Sequence, residues 1–396
     1  MNTTPQANRL HIAIYGRRNA GKSSLLNAIT GQELSIVSEH AGTTADPVFK
    51  AMEIPGIGPC VFIDTAGFDD SGDLGKLRVQ KTEQTLSRAD LALIVCSSPE
   101  LSLEKEWANK LKEAKVPFLA VVNKADELDD IPEIASKVQA QLGLNPIVVS
   151  SRTKEGIGEL LERILRRIPE DFGMQSITGN LVQAGDVVVL VMPQDSEAPK
   201  GRLILPQVQT IREMLEKDCI SINTTPQRLS QALEVLKQPP KLIITDSQVF
   251  QEVYPLVPKG TLLTSFSVLF AAYKGDISVF RRGADKLDSL TERSRVLIAE
   301  ACTHAPLTED IGRVKIPAML RKRIGPGITV EHVSGTDFPH DLRRYDLVVH
   351  CGGCMFNRRF LLSRAALAQA QGVAMTNYGI LIAKLTGILD KIVLPE

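Results

Sequence analysis

The sequence has 396 residues, and a nominal domain of about 150 residues predicts two to three domains, of which we expect three. Its 46 Lys and Arg residues balance 46 Asp and Glu residues, which argues against a strongly basic nucleic-acid-binding surface. The longest apolar runs are far shorter than the roughly 20 residues of a membrane span, and the start lacks the apolar core of a secretory signal. We therefore expect a cytoplasmic protein without membrane association, whose six cysteines are thiols or metal ligands.

Short apolar runs alternate with amphipathic stretches of helical length along the whole sequence. From His11 to about Ile168 the runs include HIAIYG, CVFIDTAG, LALIVCSS, FLAVVNKAD and PIVVSS. Such alternation predicts an α/β fold with a mostly parallel sheet covered by helices on both faces. A second and a third alternation follow, and no internal repeat is evident. We predict three domains, comprising residues 1–170, 171–265 and 266–396.

A phosphate-binding loop follows the first apolar run. Residues 16–23 read GRRNAGKS, which fits G-x-x-x-x-G-K-[ST] between a strand and an amphipathic helix. Backbone N–H groups of such a loop converge on phosphate oxygens, while Lys22 reaches the outer phosphates and Ser23 binds magnesium. The predicted phosphate-binding residues are Gly16, Asn19, Gly21, Lys22, Ser23 and Ser24.

The residues after the run FLAVV predict which base the site selects. Asn123, Lys124 and Asp126 follow this run, and the Asp126 carboxylate can accept hydrogen bonds from guanine N1–H and N2–H. Adenine offers no such pair of donors, so the unpaired buried group disfavours ATP. Ser150 and Ser151, after PIVV, are expected to form the loop on the base side.

Three further residues are predicted to surround the γ-phosphate and its metal. Asp64 follows CVFI and places a carboxylate behind Mg²⁺, and Gly67 brings a backbone N–H near the γ-phosphate. Thr44, in AGTTAD, can supply a second hydroxyl to the metal. With Lys22, these residues form the predicted catalytic set.

These five sequence boxes, in order over residues 11–168, resemble the translation-factor-related GTPases and are most similar to the branch containing Era and MnmE. The resemblance implies a Ras-like GTPase domain that binds GTP and Mg²⁺. Ala45 stands where that branch usually has Arg, so any contact made by that Arg is not expected here. Phe68 stands where small signalling GTPases have a water-positioning Gln, and an apolar ring cannot orient the attacking water, so we expect slow intrinsic hydrolysis. Asn19 occupies the position at which the branch binds potassium, which implies K⁺-stimulated hydrolysis; the alternative is that Asn19 only braces the loop.

The six cysteines divide into two groups. Cys60, Cys96 and Cys219 lie beside apolar strands and are expected to be buried and inert. The other group is Cys302 in CTH and Cys351 with Cys354 in HCGGC. Both of these segments follow apolar runs, and the ends of parallel strands meet at one sheet edge, so we expect the three thiols to converge.

The spacing leaves the nature of the metal open. Three thiolates can hold a 4Fe–4S cluster with one iron open to a weaker ligand. They can equally complete a tetrahedral zinc site with His304 or His350, and a redox pair of Cys351 and Cys354 alone is a third possibility. On an extended strand Glu300 and His304 share a face with Cys302, so they are the predicted candidates for a fourth iron ligand; water or His350 is the alternative.

A GTPase domain, a middle domain without a motif and a C-terminal C-x-H…H-C-x-x-C set resemble the iron-iron hydrogenase maturation GTPases, the HydF family. The resemblance implies a 4Fe–4S cluster on the three cysteines, with His304 or His350 as a possible fourth ligand. It also implies a middle domain that forms a homodimer and a scaffold that assembles or delivers a two-iron subcluster. The implied partners are apo iron-iron hydrogenase and radical-SAM maturases. Two rival functions remain at this point: an RNA-binding GTPase of tRNA or ribosome maturation, and a GTPase with a structural zinc site.

Overall fold

The structure is a computed structural model that describes residues 4–31, 47–54, 56–70, 72–169, 172–173, 175–193, 203–301 and 310–395. It divides into two compact units, Met1–Met174 and Gln175–Glu396. Because the two later sheets pack within one unit, the boundary predicted between residues 265 and 266 stays a prediction.

The described residues of the first unit form one sheet and five α-helices. Its strands are β1 (Leu10–Gly16), β2 (Val48–Ile54), β3 (Gly58–Asp64), β4 (Leu91–Cys96), β5 (Phe118–Val122) and β6 (Ile147–Val148). Its helices are α1 (Lys22–Thr30), α2 (Gly72–Gln84), α3 (Ser102–Glu113), α4 (Ile131–Leu142) and α5 (Ile157–Arg167). The strand order is β2-β3-β1-β4-β5-β6, and every pair except β2 with β3 is parallel.

The central strands of this sheet are apolar on both faces because helices cover both faces. Ile12 and Ile14 of β1 pack in one core layer with α1 and α5. Tyr15 packs in the other layer with Trp107 of α3 and Ile134 of α4. The sequence reasoning missed β2, an antiparallel edge strand in which Lys50 and Glu53 interrupt the apolar pattern.

The second unit contains two four-stranded parallel sheets. The elements of the first of them are β7 (Val187–Val191), α6 (Leu205–Glu216), β8 (Ile220–Thr224), α7 (Leu229–Glu234), β9 (Leu242–Thr245), α8 (Phe250–Val253), β10 (Leu262–Ser265) and α9 (Phe266–Lys274). Those of the second are α10 (Ile277–Asp285), β11 (Arg295–Glu300), α11 (Ile316–Ile324), β12 (Thr329–Ser334), β13 (Leu347–His350), α12 (Arg358–Ala370), β14 (Ala374–Asn377) and α13 (Tyr378–Leu385). The predicted fold class, a Ras-like P-loop domain followed by two parallel α/β domains, is confirmed.

These two sheets are copies of one topology. Their strand orders are β10-β9-β7-β8 and β12-β11-β13-β14, so in each copy the first strand lies between the second and the third, and the fourth lies outside the third. The sequence carries the duplication in G-R-[LV]-x-[LI]-P, which occurs at residues 201–206 and 312–317 before the proline-initiated helices α6 and α11. The expectation that the chain has no internal repeat is therefore wrong.

The two copies meet through equivalent helices. Ser265 caps α9 by accepting the N–H of Val268 at 3.2 Å, and Asn377 caps α13 by accepting the N–H of Ile380 at 2.9 Å. Asn377 also donates to the carbonyl of Ser267 at 3.2 Å, so the cap of α13 is bonded to the first turn of α9. A Cβ on Gly379 would lie only 2.4 Å from Ser267 Oγ, which shows how closely the helix starts approach.

Gly283 of α10 lies directly against the backbone of β14, and adding one methyl group at Gly283 tests this contact. A Cβ there would lie 1.9 Å from the carbonyl oxygen of Met375 in β14. Because a strand backbone cannot yield, we expect Gly283→Ala to lower the free energy of unfolding by about 1–3 kcal/mol. The matched control is Gly158→Ala in α5, where no atom lies within 4 Å and the change should stabilise slightly. Equal thermal denaturation of Gly283→Ala and wild type would contradict this packing.

Candidate functional site: a nucleotide site and a cysteine loop

The phosphate-binding loop connects β1 to α1 and is held from behind by neighbouring elements. Asn19 and Gly21 adopt φ angles of 61° and 85°, the left-handed region. A Cβ on Gly16 would lie 2.7 Å from the carbonyl oxygen of Val95, and one on Gly21 would lie 2.4 Å from Asn123 Nδ2. Glycine is thus required at Gly16 by contact and at Gly21 by both contact and backbone angle. Ser24 lies in the first turn of α1.

Lys22 lies under the loop, almost fully buried. Its Nζ donates to the carbonyl oxygens of Gly16 at 3.0 Å and Arg17 at 2.8 Å. Burial lowers the pKa of Lys22, while the carboxylates of Asp64, Asp69 and Asp70 act in the opposite direction. An ammonium group has three donors, so one remains for a phosphate oxygen.

Ser23 and Asp64 form the part of the magnesium site that the structure describes. Ser23 Oγ donates to Asp64 Oδ2 at 2.8 Å, and the buried Asp64 Oδ1 has no hydrogen-bond partner in the described part of the chain. Burial raises the pKa of Asp64, which a bound cation would reverse. An orphaned carboxylate oxygen beside a serine hydroxyl fits a hydrated Mg²⁺. Thr44, the predicted second hydroxyl, lies outside the described residues.

Asn123 and Asp126, which follow β5, have different tasks at the base side of the site: Asn123 connects two loops, and Asp126 is the candidate guanine acceptor. Asn123 Nδ2 donates to the carbonyls of Ala20 at 3.1 Å and Gly21 at 3.3 Å, and its Oδ1 accepts from Ser151 Oγ at 2.8 Å. Asn123 therefore ties the phosphate loop to the base loop. Lys124 follows with a left-handed φ of 64°.

Asp126 is presented as an ionised carboxylate. Its Oδ1 accepts from Ser150 Oγ at 2.5 Å, and its Oδ2 forms an ion pair with Arg152. The Ser150 hydrogen bond, with a smaller contribution from Arg152, lowers the pKa of Asp126. A fixed, charged acceptor is what recognition of the guanine N1–H and N2–H donors requires.

Gly67 and Phe68 are both buried against other residues of the first domain. A Cβ on Gly67 would lie 2.6 Å from the backbone nitrogen of Arg18, so only glycine fits at this approach to the phosphate loop. The Phe68 ring is buried and stacks on Trp107 with ring centroids 5.5 Å apart. Such a ring cannot orient a water molecule.

Two carboxylates that the sequence reasoning missed bind the phosphate loop. Asp69 Oδ1 accepts the N–H of Arg18 at 2.6 Å. The buried Glu104 of α3 accepts from Arg17 Nε at 3.0 Å, so Arg17 is held within its own domain. Neither contact has a local sequence signal, because each depends on how a distant element packs.

The structure places the strands that precede the two cysteine segments side by side. Strands β11 and β13 pair in parallel, with Ala299 opposite His350. The N–H of Ala301 donates to Cys351 Sγ at 3.0 Å, and the N–H of Cys351 donates to the carbonyl of Ala299 at 2.9 Å. Cys351 thus lies next to the residue that precedes Cys302. Cys302 and His304 lie outside the described residues.

Two cations connect α9 with the loop that carries Cys351 and Cys354 and with the start of α12 that follows it, and the sequence reasoning missed both. Lys274, buried at the end of α9, donates from Nζ to the carbonyls of Cys354 at 3.2 Å and Phe356 at 2.6 Å. In return, Arg358 Nη1 donates to three carbonyls at the end of α9, those of Ala272, Tyr273 and Gly275. The cysteine loop is thereby fixed to a helix of the other copy.

His350 is fully buried with both ring nitrogens engaged. Arg364 donates to Nε2 at 2.9 Å, so Nε2 is the acceptor and Nδ1 donates to the carbonyl of Cys351 at 2.6 Å. Burial, and then the charge of Arg364, lower the pKa of His350 to about 3. The neutral ring positions Cys351 and has no nitrogen left for a metal.

Glu300 ends β11 and is anchored by two neighbours. Its Oε2 accepts from Arg313 Nε at 3.3 Å and from Ser334 Oγ at 3.2 Å. To serve as a fourth iron ligand, the carboxylate would use Oε1 or give up these bonds.

Burial raises the pKa of Cys351, so its thiol must lose a proton when it binds a metal.

The other cysteines are buried thiols. Burial raises the pKa of Cys60 to about 12 and also raises the pKa of Cys96 and of Cys219.

Within the described ranges, no group of three or more His, Cys, Asp and Glu side chains is arranged to hold a metal ion. Among the helices that the structure describes, none is both long and apolar enough to cross a bilayer.

Comparison with known proteins agrees with this arrangement of domains. Residues 11–124 match the family of the 50S ribosome-binding GTPase, residues 177–275 the hydrogen maturase F dimerization domain, and residues 278–395 the hydrogen maturase F tetramerization domain. The match boundary between residues 275 and 278 coincides with the boundary between the two sheet copies.

Two similar individual proteins each cover about two fifths of the chain. The chain is 35% identical over 170 residues to the tRNA modification GTPase MnmE of Paraburkholderia xenovorans, covering 42% of this chain and 36% of that protein. It is 37% identical over 177 residues to GTPase Der of Wolinella succinogenes, covering 40% of this chain and 37% of Der. The chain thus spans little more than a third of these relatives' length.

Among solved structures, a variant of Aquifex aeolicus Era is similar at 20% identity and a TM-score of 0.37, over 57% of this chain and 98% of Era. The GTPase match and the two consecutive hydrogen maturase F matches show that the chain belongs to the hydrogen maturase F family, with a GTPase domain of the Era/MnmE type.

Proposed function

We propose that the protein is a GTP-hydrolysing scaffold for iron-iron hydrogenase maturation, which holds a 4Fe–4S cluster and assembles or delivers a two-iron subcluster to the apo-hydrogenase. The single observation that carries the proposal is the hydrogen bond from Ala301 to Cys351 Sγ, in a chain that also has a GTPase domain. It puts the residue before Cys302 against Cys351, as a cluster on both segments requires. Membership of the hydrogen maturase F family supports the same function.

The donor set around the cysteine loop fits an iron-sulfur cluster. Cys302, Cys351 and Cys354 would hold it through thiolates, and His304 or Glu300 would complete it. When bound, the cluster supplies an iron with an exchangeable ligand, to which a precursor can attach. The chain's part is to fix the loop: His350 orients Cys351, and Lys274 holds the carbonyl of Cys354.

The nucleotide site supports GTP hydrolysis assisted by two cations. Ser23, Asp64 and Thr44 would bind Mg²⁺, with Lys22 and the N–H of Gly67 on the outer phosphates. Asn19 is exposed, and its side chain makes no hydrogen bond to any residue that the structure describes. This disfavours a bracing role and supports Asn19 as a potassium ligand.

The two hydrogen maturase F domains support self-association, for which we propose a homodimer through the middle domain. Strand β8 is an edge of its sheet, and Ile220 on it is 57% exposed. Leu215, at the end of the neighbouring α6, is 68% exposed. An open strand edge with apolar neighbours is a surface that a second copy can cover. Apo-hydrogenase and radical-SAM maturases are the proposed partners of the assembled scaffold.

The first test exchanges the guanine acceptor. In Asp126→Asn an amide replaces the carboxylate. The amide pairs poorly with guanine, but it pairs well with the carbonyl and N–H of xanthine. We expect kcat/KM for GTP to fall roughly 100-fold or more, with a gain of XTP hydrolysis. Glu127→Gln is the matched control, because Glu127 also pairs with Arg152 but lies 51% exposed. Unchanged GTP preference in Asp126→Asn would contradict guanine recognition by this carboxylate.

The second test concerns the monovalent cation. Replacing KCl with NaCl at equal ionic strength should slow steady-state GTP hydrolysis several-fold, because the smaller sodium ion would not replace potassium in a site beside Asn19 and the phosphates. Asn19→Ala should hydrolyse GTP at the low rate in both salts. Equal rates of the wild type in the two salts would remove the potassium proposal.

The third test identifies the metal. After anaerobic reconstitution, the wild type should contain about four iron and four sulfide per chain, and Cys351→Ser should lose most of both. Cys219→Ser, a substitution of a buried thiol in the middle domain, should keep them. One zinc per chain with no sulfide would instead support a structural zinc site and overturn the scaffold function.

A further inference from the structure

Tyr378 carries a buried hydroxyl that nothing in the described protein satisfies. The residue begins α13 directly after β14, at the sheet edge where the cysteine loop lies. Its Oη is shielded from solvent and has no hydrogen-bond partner among the residues that the structure describes. Buried donors without acceptors are rare in native proteins, and they often mark the place of a group that is bound in the working molecule.

The surroundings of this hydroxyl place it at the cysteine site. A Cβ on Gly312, in the turn before α11, would lie 2.2 Å from Tyr378 Oη and 2.6 Å from Oε1 of Glu300, the last residue of β11, so hydroxyl and carboxylate converge on this glycine. Burial, and then the charge of Cys351, raise the pKa of Tyr378. Asn377, the residue before Tyr378, pairs in parallel with His350, the residue before Cys351, so Tyr378 and Cys351 leave neighbouring strand ends.

The duplicated copy shows what the ring alone does. Phe266 begins α9 directly after β10, the position equivalent to Tyr378, and its ring is 2% exposed. The strand ends of that copy carry Thr245 and Ser265 and no cysteine. Phenylalanine thus meets the packing requirement where no thiols converge. The hydroxyl is present in the copy that has the cysteine loop.

We propose that the Tyr378 hydroxyl donates a hydrogen bond to a sulfur of the metal cluster held at Cys351. The inference rests on the proposed function, because it needs a cluster at this loop. Hydrogen bonds to cluster sulfurs stabilise the reduced, more negative state and so raise the reduction potential. Tyr378 therefore sets the potential of the cluster, and Gly312 is the residue whose small size admits the hydroxyl.

The test compares two phenylalanine variants of the full-length protein, purified and reconstituted without oxygen. Tyr378→Phe removes the unpartnered hydroxyl and keeps the ring. Tyr345→Phe is the matched control: the Tyr345 side chain is also buried, but its hydroxyl donates to Glu331 at 2.8 Å within the protein. Melting of the metal-free proteins, iron and sulfide content, and the reduction midpoint followed by electron paramagnetic resonance are measured for all three.

For Tyr378→Phe we expect metal-free melting at or above the wild-type temperature, with a more negative midpoint or a loss of iron on reconstitution. Tyr345→Phe should melt lower and keep the wild-type midpoint. A wild-type midpoint and resonance spectrum in Tyr378→Phe would overturn the inference, as would metal-free melting lowered to the level of Tyr345→Phe. A wild type that takes up no iron and sulfide would instead overturn the proposed function.

Discussion

The carboxyl ends of parallel strands meet at one edge of a sheet, and both candidate sites depend on this constraint. In the first sheet, Gly16 ends β1 and Asp64 ends β3, and these neighbouring ends bring the phosphate loop to the magnesium ligand. In the last sheet the pairing of β11 with β13 brings Ala301 to Cys351, although fifty residues separate them in the chain. Such convergence needs no local sequence signal beyond an apolar strand that ends in a chemically active residue.

The duplicated unit separates the contribution of the fold from that of the residues. Both copies provide the same sheet edge, the same capped final helix and an aromatic residue at its start. Where β13 is followed by Cys351, the equivalent β9 is followed by Asp246, whose carboxylate caps a short turn by accepting from Gln248. A shared topology therefore supports structural use in one copy and the proposed metal-ligand set in the other, which is why function is argued from the residues.

Sequence reasoning located the features whose signal is local and missed those that arise from packing. The phosphate loop, the strands of the first sheet other than β2, and the strands β11 and β13 before the cysteine segments follow from apolar runs and glycine spacing. Strand β2 was missed because an edge strand needs no continuous apolar run. The duplication was missed because the two sheets share their strand order but very little of their sequence. Lys274 and Tyr378 gave no signal, since a lysine near a helix end and a tyrosine after a strand are ordinary until tertiary contacts place them.

Helix α9 joins the middle sheet to the cysteine loop within one compact unit, and this makes the loop a property of both copies. Its start is bonded to the cap of α13 through Ser267, and its end exchanges bonds with the loop through Lys274 and Arg358. A buried ammonium on two carbonyls cannot be released without leaving all three groups unsatisfied, which costs about 1–3 kcal/mol for each. Any change of the middle domain that shifts α9 must therefore move the Cys354 carbonyl with it or break these bonds. Helix α6, which carries part of the proposed self-association surface, also packs on α9, so that surface and the cysteine loop contact the same helix.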